Sequence, residues 1–245
     1  MSASIRIALH APCTAQAFRP SVTQAVINLA KRLSLPVSLP PGQTCCGLTA
    51  LQAGHSAAAL TAARLQLRLF SGYDVLITTS SACRRMFREH LPRLLRGQPE
   101  AEEAARLATA CTSWAKFLVE HAGIERVCCR FEGRLAYFPT CHGDDEDAIL
   151  QLLTKVEGAE LVAEPLRQCC GYGNNLSWRH PQLAHAMTTP ILSDLRLSHA
   201  DLVVTGDEGC CIHLAPLLER VGAAPIVHIA EFLADYCGEV NGGPR

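Results

Sequence analysis

The chain writes one pattern of four cysteines twice. Cys13, Cys45, Cys46 and Cys83 are followed by Cys141, Cys169, Cys170 and Cys210, and each adjacent pair precedes a glycine, Gly47 or Gly171. Neighbouring residues hold their Cα atoms ~3.8 Å apart across a trans peptide, short of the roughly 4.4–6.8 Å that an unstrained disulfide spans. Cys45-Cys46 and Cys169-Cys170 are therefore poor disulfide partners for one another. They suit a metal centre, where neighbouring thiolates bind one ion or two irons of one cluster and glycine lets the backbone come close.

The repetition also sets the fold. Asp74-Val75-Leu76-Ile77-Thr78, ending at Cys83, matches Asp201-Leu202-Val203-Val204-Thr205, ending at Cys210, with both ends 127 positions apart. The interval is 128 from Cys13 to Cys141 and 124 from Cys45 to Cys169, and Ala115-Lys116-Phe117-Leu118 echoes Ala230-Glu231-Phe232-Leu233. Two homologous repeats are expected, residues 1–122 and 123–245, related by a pseudo-twofold axis. Short apolar runs alternating with helical patterns predict an α/β fold of parallel strands with crossover helices. Strands are expected at Ile5–Leu9, Pro36–Leu39, Asp74–Thr78, Arg134–Phe138, Leu161–Ala163, Asp201–Thr205 and Pro225–Ile229. Val22, Val26, Leu29 and Leu33 make one helical stripe, and Leu60, Ala63, Leu67 and Phe70 another. Similar faces run from Leu183 to Leu195 and through Leu214, Leu217 and Val221, and one helix is expected across Pro99–His121. The motif cysteines then follow strands, at the carboxyl ends where open α/β sheets place their sites.

A formal net charge of −1 and few aromatics leave no basic stripe or stacking platform for nucleic acid. No export signal or membrane span is visible in the sequence. Thirteen cysteines, an odd count, favour reduced thiols over a disulfide framework, and the expected location is the cytoplasm. Cys111, Cys211 and Cys237 read as core thiols, whereas the pair Cys128-Cys129 has neither a following glycine nor a counterpart in the repeat.

Ala11-Pro12-Cys13, Pro41-Gly42-Gln43-Thr44-Cys45-Cys46-Gly47, Ser80-Ser81-Ala82-Cys83, Cys141-His142, Cys169-Cys170-Gly171-Tyr172-Gly173, Gly209-Cys210 with His213, and His228-Ile229-Ala230-Glu231 together resemble the cysteine-rich CCG-domain proteins. That family includes the cysteine-rich component of heterodisulfide reductase, the iron-sulfur components of glycolate oxidase and of anaerobic glycerol-3-phosphate dehydrogenase, and the lactate-utilisation proteins, and the resemblance is nearest to the last. It implies an iron-sulfur protein with one cluster per repeat, of 4Fe-4S type, held by the eight motif cysteines. Its expected role is to relay electrons beside ferredoxin-like or flavin-containing redox subunits in the oxidation of lactate or another 2-hydroxy acid. His142 and His213 are expected beside the cofactor as hydrogen-bond donors. No catalytic residue is assigned.

Two departures stand out. The heterodisulfide reductase motif ends Cys-x-x-Cys, but its first position is Ser80 in one half and Asp207 in the other, where helix capping is the expected role. The segment after Cys141 is short and acidic, Gly143-Asp144-Asp145-Glu146-Asp147, and is expected to add negative charge near the second site. Two alternatives remain open: a heterodisulfide-reductase-like thiol-disulfide reductase, and a zinc-stabilised scaffold, since four thiolates also make a closed structural zinc site.

Overall fold

The computed structural model describes residues 5–122, 128–162, 167–173 and 175–237. Two four-stranded, all-parallel sheets carry the fold. In the first, β1 (Ile7–His10) lies between β2 (Val37–Ser38) and β3 (Val75–Thr78), with β4 (Cys111–Ser113) beyond β3. The second has the same order, with β5 (Arg130–Phe138) between β6 (Glu157–Leu161) and β7 (Leu202–Thr205), and β8 (Ile226–His228) outermost. The central strands are apolar on both faces, as a parallel sheet covered on both sides requires. Ile7 and Leu9 enter one core and Ala8 another, and Leu135 and Tyr137 part from Ala136 and Phe138 in the same way.

Helices α1 (Cys13–Phe18) and α2 (Pro20–Arg32) follow β1, and α3 (Leu48–Gln52) and α4 (Ser56–Phe70) follow β2. After β3, α5 (Ser81–Arg85) runs through a π-helical turn, Met86–His90, into α6 (Leu91–Leu94), and α7 (Ala101–Ala110) comes next. Beyond β4 lie α8 (Trp114–Lys116) and a second π-helical turn, Phe117–His121. The second repeat adds α9 (Glu146–Leu153), α10 (Leu176–Arg179), α11 (Pro181–Leu197), α12 (Glu208–Arg220) and α13 (Ile229–Tyr236). Proline at the first position starts α2 and α11 with its fixed φ. A capping box starts α13: His228 Nδ1 accepts from the Ala230 amide and Glu231 Oε2 from the His228 amide, both at 3.0 Å.

One core lies on the facing sides of the two sheets and two lie on the outer sides. The shared core takes Val26 and Leu29 from α2, Trp114, Phe117 and Leu118 from the end of the first repeat, Ile149 and Leu152 from α9, and Phe232 and Leu233 from α13. The exchange is reciprocal, since α13 packs on α2 of the other repeat and α8 on α9. Each fully buried Phe or Leu contributes about 1.5–3 kcal/mol through area removed from water.

Ion pairs finish both contacts. Arg19, ahead of α2, meets Glu231 of α13 at 2.9 Å. Asp144, ahead of α9, meets Lys116 of α8 at 3.3 Å, Arg84 at 3.0 Å and Arg88 at 2.5 Å. Arg84 is itself buried and reaches Asp145, equally buried, at 3.2 Å.

The sequence expectations need three corrections. The helix expected across Pro99–His121 is broken by β4, whose Cys111, Thr112 and Ser113 pair with Leu76, Ile77 and Thr78; a free sheet edge outweighs the helical pattern on either side. The sixth strand runs Glu157–Leu161, upstream of the expected Leu161–Ala163, and Ala163 lies outside the described residues. Cys237 is not a free core thiol, because it forms a disulfide with Cys129. The boundary expected between residues 122 and 123 adjoins a stretch, 123–127, that also lies outside the described residues.

Removing one partner of a buried ion pair strands the other charge, at about 3–5 kcal/mol. Arg84→Met should therefore lower the unfolding free energy in urea by about 3 kcal/mol, and adding Asp145→Asn should recover part of the loss. Burial alone would raise the Glu231 pKa, but bonds from Arg19, Ser21 and the His228 amide outweigh it and hold the carboxyl below its ordinary value. Such a group stabilises fully above its unfolded pKa of about 4.3, and its contribution is lost as pH falls through the lower folded value. Glu231→Gln should accordingly flatten the acid limb of the stability profile below about pH 5, as followed by urea melts.

Candidate metal centres

Cys13 opens α1 directly after β1, Cys45 and Cys46 sit between β2 and α3, and Cys83 lies in α5. Strand order thus brings three loops to one end of the first sheet. The Cys46 and Cys83 sulfurs are 3.3 Å apart, and Cys45 bridges the Cys13 and Cys46 thiols by hydrogen bonds. The Gly47 amide donates to Cys45 Sγ at 3.4 Å. Gln43 ties two loops together, accepting from the Ala11 amide and donating to the Leu9 and Pro40 carbonyls. Gln66, fully buried on α4, donates to the Thr44 and Cys45 carbonyls.

The second repeat rebuilds the arrangement. Cys170 and Cys210 sulfurs are 3.4 Å apart, Cys169 bridges Cys141 and Cys170, and the Gly171 amide reaches Cys169 Sγ at 3.5 Å. Thr188, on α11, donates to the Cys170 carbonyl. Exposure is graded alike in both: Cys13 and Cys141 exposed, Cys45 and Cys169 half-buried, and Cys46, Cys83, Cys170 and Cys210 buried.

The thiols share charge along each chain of sulfurs. Hydrogen bonds from Cys13 and Cys46 hold Cys45 far below the ordinary thiol value, while Cys13 and Cys46 are pushed up by giving those bonds and by burial. Cys169 is lowered in the same way by Cys141 and Cys170. In each centre a glycine amide donates to the middle sulfur. Among the described residues no three His, Cys, Asp or Glu side chains converge as the shell of a single metal ion. Four sulfurs per centre are a donor set that thiophilic metals take, whether as a single ion or as an iron-sulfur group.

Ser80 and Asp207 cap helices, accepting from the Cys83 and Cys210 amides at 3.3 and 3.1 Å. Asp207 also crosses between repeats, accepting from the Ser81 amide and hydroxyl at 2.7 and 2.6 Å. His213 lies beside Tyr172, its Nε2 3.1 Å from Thr188 Oγ1 and its ring within the field of Cys169. His142 is exposed, its Nδ1 3.4 Å from Arg85. Both histidines lie in the second repeat, near Cys169; the first repeat has His10 near Cys45, which sequence reasoning missed. His10 is fully buried at the end of β1, with Nδ1 3.1 Å from Thr78 Oγ1 and Nε2 without a partner. Burial lowers its pKa to about 4, so it stays neutral near Cys45.

The acidic segment after Cys141 is largely paired. Asp144 is met by Arg84, Arg88 and Lys116, Asp145 by Arg84 and Glu146 by Arg167. Asp144 and Asp145 are thus engaged across the contact between repeats.

A cavity of about 130 Å³ opens from the first centre toward the second repeat. Cys13, Cys45, Cys46 and Cys83 line one side and Tyr172, Asn175 and Glu208 the other. Glu208 is fully buried; Thr14 donates to its Oε1 at 3.3 Å, and its Oε2 has no partner. Sequence reasoning did not single it out.

Comparison with known proteins agrees with this twofold plan. The model of the CCG cysteine-rich domain matches twice, at residues 7–88 and 135–215. The chain belongs to the CCG cysteine-rich domain family. Over 236 residues it is 33% identical to lactate utilization protein A of Geobacillus kaustophilus, covering 94% of this chain and 98% of that protein. The counterpart in Geobacillus thermodenitrificans is 32% identical with the same coverage, and that of Bacillus licheniformis is 30% identical over 94% of this chain and 99% of its own.

Both motif glycines need the left-handed region, with φ of 93° at Gly47 and 85° at Gly171. A Cβ would stand 3.0 Å from Ala62 Cβ at the first and 3.1 Å from the Ala184 carbonyl at the second. Gly47→Ala and Gly171→Ala should each destabilise the protein by more than about 1 kcal/mol in thermal melts, and each should impair only its own centre.

Proposed function

We propose that this protein is an iron-sulfur electron-relay component of a system that oxidises a 2-hydroxy acid, most simply lactate. The observation that carries the reading is the doubled four-sulfur centre at matching strand ends of the two repeats. Near full-length similarity to lactate utilization proteins A gives the metabolic setting. The residues fit 4Fe-4S-type groups, one per repeat, with Cys13, Cys45, Cys46 and Cys83 holding the first and Cys141, Cys169, Cys170 and Cys210 the second. When bound, such a group supplies one-electron exchange. The chain's own work is to hold it, to aim the Gly47 and Gly171 amides at its thiolates, and to keep His10, His142 and His213 nearby, where imidazole donors tune it.

In this reading residues 1–122 and 123–245 are the two working units. The protein acts in the cytoplasm, and ferredoxin-like or flavin-containing subunits supply the acid oxidation and accept the electrons, because no motif for an organic cofactor is visible on this chain. Among the described residues no helix is long and apolar enough to cross a membrane. The thiol-disulfide reductase alternative has less support: Ser80 and Asp207, at the place of that motif's extra cysteine, are engaged as helix caps.

Anaerobically purified or reconstituted protein should be brown and carry iron with acid-labile sulfide. Cys46→Ser and Cys170→Ser should each remove or alter one centre, while Cys111→Ser, at a buried thiol outside both sulfur chains, should leave iron content intact. Colourless protein with stoichiometric zinc and no sulfide would refute the reading.

A further inference from the structure

We propose that Glu208, from the second repeat, is an oxygen donor to the metal group held at the first centre, which makes the two centres chemically unequal. The inference rests on the iron-sulfur reading above. Three observations converge on it. Glu208 shares the cavity with all four sulfurs of the first centre, although it belongs to the other repeat. It has no exposed surface; Thr14 and the Ser80 hydroxyl lie against its carboxyl, and Oε2 makes no well-formed hydrogen bond. A fully buried carboxyl oxygen left unmatched costs free energy that a native structure normally avoids, unless the missing partner is the group the cavity is built to receive.

The rest of the carboxyl is oriented for that role. Thr14, next to Cys13, donates to Oε1, fixing the side chain from the first repeat while Oε2 stays open. Carboxylate oxygens are ordinary ligands for iron alongside thiolates and imidazoles. On binding, one Oε2–metal bond forms and any carboxyl proton leaves to solvent.

The pseudo-twofold axis supplies an internal control. Glu208 stands 127 positions after Ser81, as Cys210 does after Cys83. A carboxyl reaching from Ser81 toward the second centre would be the symmetric arrangement, but serine is too short, and its hydroxyl is bonded to Asp207. Ser81 therefore offers the second centre no counterpart of Glu208.

The test uses full-length protein reconstituted anaerobically with iron and sulfide, in two backgrounds that each keep one centre. In Cys170→Ser, which keeps the first, Glu208→Gln should change the Mössbauer and electron paramagnetic resonance signature and weaken iron retention against a chelator by about tenfold, with Glu208→Asp restoring part of both. In Cys46→Ser, which keeps the second, the same substitution should change neither. An unchanged first-centre spectrum, or equal changes in both backgrounds, overturns the proposal. Should Glu208→Gln fail to fold, protein with native Glu208, labelled with ¹³C at its glutamate carboxyls, decides the question in the Cys170→Ser background. A resolved ¹³C hyperfine coupling supports ligation, and its absence overturns it. Protein that takes up no iron at all overturns this inference and the iron-sulfur reading together, whereas uptake without an effect of Glu208 overturns this inference alone.

Discussion

Phe232 and Leu233, near the end of the chain, share a core with Val26 and Leu29 from near its beginning, and the rest of the structure depends on that exchange. Each repeat hands its last helix to the other: α13 to α2, and α8 to α9. A repeat on its own would leave one sheet face and one long helix uncovered, and that apolar area is too large to leave in water. The exchange also fixes where the cysteine loops point. With the sheets held face to face through one core, the N-termini of α5 and α12 meet, and Asp207 can bond Ser81 across the junction. Both sulfur sets therefore flank a single seam.

Much of this was legible in the residues. The repeated Asp–Val/Leu–Leu/Val–Ile/Val–Thr strand ending at cysteine gave β3 and β7 with their loops, and the adjacent cysteines before glycine marked the loops after the second strand of each repeat. The strand β4 was missed because Cys111, Thr112 and Ser113 interrupt a helical stripe for only three residues. The signal was present in the repeat: Ala115-Lys116-Phe117-Leu118 echoes a segment preceded by a strand, so a strand was due before Ala115. The Cys129–Cys237 disulfide was not legible, because it joins two residues 108 positions apart with no counterpart in the first repeat. Glu208 and His10 were hidden for another reason. What sets them apart is full burial with one polar atom left unpaired, which depends on packing from elements distant in sequence.

The two centres are alike in backbone and unlike in surroundings. Both grade their thiols from an exposed first cysteine to a buried last one, so access runs from the Cys13 and Cys141 side. Around that common frame, the first centre has a neutral buried imidazole and a buried carboxyl. The second has His142 near the surface, His213 against Tyr172, and an acidic loop already neutralised by Arg84, Arg88 and Lys116. Divergence has acted on the shell around the sulfurs and left the sulfurs in place.

The latches between the repeats also carry information about pairing. The first repeat brings positive charge at both of its contact points, Arg19 and Lys116, and the second brings negative charge at both, Asp144 and Glu231. Two first repeats brought together in the same geometry would set arginine against lysine, and two second repeats would set aspartate against glutamate. Only unlike halves satisfy the junction. Charge sign at both contacts thus disfavours each half accepting a copy of itself in place of its covalent neighbour.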